Sequence, residues 1–107
     1  MSLSTHVLDL QSGRPASRIP VTLSHNNELI GQGVTDSDGR VADLLDGAPL
    51  AEGSHQLTFD VTNYFARQSL ETLYETIPVH FLIQDISRHY HIPLLLSPFG
   101  YSTYRGS

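Results

Sequence analysis

Apolar and polar residues alternate along most of this chain, and turn signals interrupt the alternation at short intervals. Period-two alternation marks half-buried strands, and such strands between frequent breaks predict an all-β sandwich or barrel. "STHVLDL" reads as a first strand, with Thr5, Val7 and Asp9 on one face and His6 and Leu8 on the other. "SGRPA" turns the chain through Gly13 and Pro15. "RIPVTLSH" is a second strand, and Pro20 belongs at its start or on an edge. Asn26 and Asn27 predict a hairpin into "ELIGQGVT", "DSDGR" is a further turn, and "VADLL" reads as a short strand before "DGAP" breaks it. "GSHQLTFDV" puts Leu57 and Phe59 on one face. "TNYFARQSLE" reads as one helix of about two turns, with Thr62 as its N-cap. In "YETIPVHFLIQD", Val79, Phe81 and Ile83 face the core.

The last two strands carry more than packing. In "HYHIPLLLS", Tyr90, Ile92, Leu94 and Leu96 share one face, and His89, His91, Pro93 and Leu95 share the other. A sandwich strand buries only one face within its own domain. The second face, partly apolar and holding two histidines, predicts a cover from another subunit. "SPFG" then leads into "YSTYRGS", where alternation puts Ser102 and Tyr104 on one face and Tyr101 and Thr103 on the other.

Composition narrows the class. The 107 residues fit a single domain spanning 1–107. With no cysteine, disulfides and thiolate metal sites are excluded. A net charge of −5, with no lysine at all, argues against a nucleic-acid surface, which needs a dense cationic patch. No stretch approaches the roughly 20 apolar residues of a membrane span. "MSLSTHVLDL" lacks a basic leader and an apolar segment. A soluble protein is expected, placed in the cytoplasm, or in the periplasm if a leader has been removed.

Six histidines stand out: His6, His25, His55, His80, His89 and His91. Neutral histidine is the usual base near pH 7 and a common metal ligand. A lone strand histidine is ordinarily a surface or satisfied core residue, so spacing alone does not make His6 or His91 functional. His89 and His91 lie about 7 Å apart along a strand of ~3.4 Å rise, a span that can chelate zinc with His6 as a third ligand. Structural zinc takes four ligands, so neither a metal nor a cofactor is expected. "DSDGR" resembles the start of a calcium loop, but its twelfth position is Gly47, which offers no oxygen. The cluster is turn chemistry, and Arg40 is its one unusual member. No "GxSxG" elbow occurs, so a serine triad is not indicated.

"THVLDLQSGRPA", "DSDGR" and "HYHIPLLLSPFGYSTYRGS" together resemble the transthyretin-related 5-hydroxyisourate hydrolases. The likeness runs from His6 to Ser107, and the terminal "YRGS" is its most specific part. It implies a transthyretin-like sandwich of two four-stranded antiparallel sheets with one short helix. It also implies a homotetramer, a dimer of dimers, with a channel between facing sheets. The implied catalytic residues are His6, Arg40 and His91, and the implied substrate-binding residues are Tyr104, Arg105, Gly106 and Ser107. The implied reaction opens the cyclic amide of 5-hydroxyisourate to 2-oxo-4-hydroxy-4-carboxy-5-ureidoimidazoline in urate breakdown. The competing class is a transthyretin-like carrier that binds a small molecule without turning it over. Transthyretins share the sandwich and the "LLSP" turn but lack these histidines and this ending.

Overall fold

The computed structural model describes residues 2–106. Among the described residues, nine strands and one helix run in the order β1 (Leu3–Asp9), β2 (Arg14–Pro15), β3 (Pro20–His25), β4 (Glu28–Val34), β5 (Arg40–Val41), β6 (Gly53–Asp60), α1 (Thr62–Ala66), β7 (Thr76–Ile83), β8 (Tyr90–Ser97) and β9 (Gly100–Thr103). They form two stacked sheets, β2-β1-β8-β9 with β5 also on β1, and β4-β3-β6-β7. Pairing is antiparallel except between β1 and β8, which run parallel from Leu3↔Tyr90 to Asp9↔Leu96. The short strands β2 and β5 both pair with β1, along the side away from β8.

The alternation seen in the sequence becomes the core. Leu3, Val7, Leu94 and Leu96 of the first sheet and Leu23, Leu57, Phe59 and Ile77 of the second are fully buried. Each such side chain contributes roughly 1.5–3 kcal/mol of transfer free energy. Asn26 and Asn27 both adopt left-handed angles, φ 53° and 64°, as a tight hairpin requires, and join β3 to β4. Pro20 begins β3, where its missing N–H removes no interior ladder bond.

Two elements are shorter than their sequence pattern predicts. The helix covers five residues rather than two turns, because Ser69 turns left-handed at φ 54° and Leu70 N–H closes back on the Phe65 carbonyl. Its N-cap is Val61, with no side-chain cap, so Thr62 is the first helical residue instead. The Thr62 N–H is taken by Asp60 Oδ1 at 3.1 Å. Of "VADLL", only Val41 is in a strand, paired with Thr5. Leu44 and Leu45 leave the sheet to fill the core, and Leu44 N–H bonds the Leu3 carbonyl at 2.9 Å.

One buried carboxylate fixes the far end of β1. Asp9 is 2% exposed and accepts three hydrogen bonds. Two come from the N–H groups of Gln11 and Ser12 at 2.8 and 3.2 Å, and one from the Tyr64 hydroxyl at 2.6 Å. The helix is thereby tied to the first turn.

Candidate active site

The outward face of β1 carries Ser4, His6 and Leu8, while Leu3, Thr5, Val7 and Asp9 are buried beneath. On β8 the outward positions are His91, Pro93 and Leu95. The parallel register sets Ser4 beside His91 and His6 beside Pro93. On the other side of β1, the antiparallel register sets His6 beside Arg40. Arg40, His6 and His91 therefore stand on three neighbouring strands with their side chains on one surface. His6 and His91 are diagonal neighbours, roughly 8 Å apart by strand spacing and rise.

The turn before Arg40 holds it there. Asp36 Oδ1 accepts the N–H groups of Asp38 and Arg40 at 2.9 and 3.0 Å. Gly39 takes φ 74°, and its carbonyl accepts the Val7 N–H at 2.7 Å. A β-carbon at Gly39 would press on the Val7 carbonyl at 2.5 Å, so only glycine lets the turn approach β1 this closely. The Arg40 N–H, with that of Asp38 and the charges of Arg40 and His6, holds the Asp36 carboxyl below its usual pKa. The Arg40 guanidinium itself is left to the outer face.

The pKa of His91 lies below that of an ordinary histidine. Burial lowers its pKa, and the positive charges of Arg40, His6 and His89 act in the same direction. Only a hydrogen bond with the Ser4 main chain opposes them. Near pH 7 its imidazole is neutral and able to accept a proton. Among the described residues, no three histidines or carboxylates are grouped closely enough to hold a metal ion.

The ending is docked rather than free. β9 stops at Thr103, whose hydroxyl bonds the Pro93 carbonyl at 2.6 Å. Two residues later the guanidinium of Arg105 lies over the Tyr90 ring, 5.6 Å from its centroid. Gly106 N–H then bonds the His91 carbonyl at 2.8 Å. Arg105 and Gly106 share a cleft with Arg88 and His89. Tyr104 departs from the alternation pattern. Because the strand ends before it, its ring lines a separate apolar cleft of about 190 Å³ with Val79, Phe81 and Ile92, towards β7. It does not share the face of Ser102. Ser107 lies outside the described residues.

Sequence reasoning missed Ser4. Its hydroxyl lies 2.8 Å from His91 Nδ1 and 3.3 Å from His89 Nε2. The available signal was period two: Ser4 precedes His6 by two positions and so shares its face.

A polar, histidine-bearing outer face on a transthyretin-type sandwich defines the class, and the chain belongs to the HIUase/Transthyretin family, whose model matches residues 3–106. Within that family, 5-hydroxyisourate hydrolase 2 of Rhizobium meliloti is 44% identical, over 98% of this chain and 95% of its own. The structure of Klebsiella pneumoniae 5-hydroxyisourate hydrolase superposes with a TM-score of 0.90 at 39% identity, covering 100% of both chains. Sea bream transthyretin in complex with thyroxine superposes with a TM-score of 0.91 at 29% identity, covering 99% of this chain and 95% of its own.

Proposed function

We propose that this chain is a 5-hydroxyisourate hydrolase that opens the cyclic amide of its substrate by histidine-assisted attack of water. The observation that carries the reading is the convergence of Arg40, His6 and His91 on one outward face. A hormone carrier has no use for two imidazoles and a guanidinium on that surface, so the carrier reading is not favoured.

In this mechanism neutral His91 takes a proton from water as the water oxygen bonds to C6 of the substrate. Arg40 faces the C6 oxygen, where negative charge develops. The guanidinium is a planar, permanently charged donor, suited to a flat substrate dense in carbonyls. The C6–N1 bond then breaks, and His6 supplies the proton that N1 needs to leave. Arg105 and Gly106 orient the substrate from the start of β8, Ser107 joins them in binding it, and Tyr104 lines the neighbouring cleft beside Arg105.

The working form is a homotetramer, a dimer of dimers. Leu8 and Leu95 give the outer face apolar surface to meet a symmetry mate, and the substrate sits between the two faces. Light scattering should then report four chains per particle.

The direct test is the ultraviolet absorbance decay of freshly generated 5-hydroxyisourate with and without the protein. The substrate decays spontaneously, so the rates are compared. Accelerated decay supports the reading, and an unchanged rate overturns it.

A further inference from the structure

Beside the proposed base runs a line of hydrogen bonds. Ser2 Oγ bonds His89 Nδ1, His89 Nε2 lies 3.3 Å from Ser4 Oγ, and Ser4 Oγ lies 2.8 Å from His91 Nδ1. The four side chains alternate between β1 with its leading residue and β8 with its own. Parallel pairing puts them in rungs, Ser4 directly beside His91.

We propose that Ser4 is a positioning residue: its hydroxyl, seated between two imidazoles, holds His91 by Nδ1 and leaves His91 Nε2 to face the substrate. This rests on the reading of His91 as the base. A neutral imidazole carries one proton, on one nitrogen, and the hydrogen bond made by that nitrogen decides which. For Nε2 to accept a proton from water, the ring proton must sit on Nδ1, donating to Ser4 Oγ. The Ser4 proton is then donated to His89 Nε2, and the His89 proton, on Nδ1, is donated to Ser2. Each of the three bonds then has one donor and one acceptor. Reversing the line would put the proton on His91 Nε2 and remove the base. A serine hydroxyl accepts from one imidazole while donating to the other, and a methyl group does neither. The other charged groups facing this cluster are Arg40 and His6 towards His91, and Arg88 and Arg105 on the cleft beside His89.

The test compares Ser4→Ala with Ser4→Thr in the full chain, by two readouts. The first is nitrogen-detected NMR of histidine-labelled protein, which reports the ring tautomers without substrate. His91 should carry its proton on Nδ1 in wild type and Ser4→Thr, and shift to a mixture in Ser4→Ala. The second is turnover. Ser4→Ala should lose about tenfold or more in kcat with its acid limb displaced, and Ser4→Thr should restore both. If Ser4→Ala folds poorly, Ser4→Val against Ser4→Thr gives the same comparison at matched shape. An unchanged His91 tautomer in the variants that lack the hydroxyl overturns the proposal. His91→Asn separates the two readings. If it stays active, the base assignment fails, while the NMR result still decides whether Ser4 sets the His91 tautomer.

Discussion

Gly106 and His91 touch at two points. The Gly106 N–H donates to the His91 carbonyl at 2.8 Å, and a β-carbon added to Gly106 would overlap the His91 imidazole. The glycine of the "YRGS" ending is thus explained by a ring on another strand. Gly106→Ala should push that ring aside while leaving the core untouched. A displacement near 1 Å at a reacting group costs up to about 100-fold. The expected result is a fall of that order in kcat/KM with a melting temperature within about 2 °C of wild type, read by calorimetry.

The lowered pKa of His91 makes a signed prediction about pH. A base works in its neutral form, and His91, the proposed base, stays neutral below the ordinary value of 6.5. In a profile of kcat/KM, activity should hold through pH 6.5 and fall only at more acid values. A midpoint at or above 6.5 would remove His91 as the group that limits the acid side.

Arg40 keeps its place through main-chain bonds to Asp36, which do not involve its side chain. Arg40→Lys should therefore fold normally while losing the planar, two-pronged contact. Loss of one charge-stabilising donor typically costs about 10²–10³ in kcat. Steady-state kinetics and circular dichroism on the same sample check both halves, and near-normal turnover would exclude Arg40 from the mechanism.

The bond from Tyr64 to Asp9 should show in stability and not in catalysis. Burial, followed by the bond to Asp9 and its charge, pushes the Tyr64 hydroxyl up to about 12, so it remains a donor at every working pH. Tyr64→Phe leaves the carboxylate with only its two main-chain donors. The expected cost is about 1–3 kcal/mol, measured from urea midpoints, with kcat close to wild type.

His55 predicts acid sensitivity of the fold. It is 2% exposed and stacks on His25 with ring centroids 4.2 Å apart. Its Nδ1 meets the Gly53 carbonyl, and its Nε2 has no partner among the described residues. Burial lowers its pKa, and the nearby His25 charge adds to this. The unfolded chain therefore binds this proton more readily than the folded one, and stability falls as pH drops below 6.5. His91 contributes with the same sign. His55→Phe should lose less melting temperature than wild type between pH 7.5 and pH 5.5, keeping only the part that His91 contributes. Equal losses in the two proteins would clear His55.

Much of this was legible because strand faces are written in period two. Tyr90, Ile92, Leu94 and Leu96 are all buried, as their spacing predicts, and His91 lies on the opposite face. The same rule placed His6 outward. It gave out at Tyr104, since alternation holds only while a residue stays in a strand and β9 ends one position earlier. The helix ran short because Ser69 takes a conformation for which serine gives no sequence signal. Which strands lie side by side is not encoded in alternation at all. The meeting of Ser4 with His91, 87 residues apart, was therefore invisible until the parallel pairing of β1 and β8 appeared.

That parallel pairing also sets a schedule for synthesis. β1 leaves the ribosome early, yet its neighbour in the sheet is the next-to-last strand made. Until β8 emerges, the Arg40–His6 half of the surface is exposed without the imidazole it faces. On the proposed mechanism a chain broken off before Tyr90 is inert, and it would leave one side of β1 without a partner. On the proposed mechanism, turnover waits for β8 to pair with β1, so that catalysis follows folding.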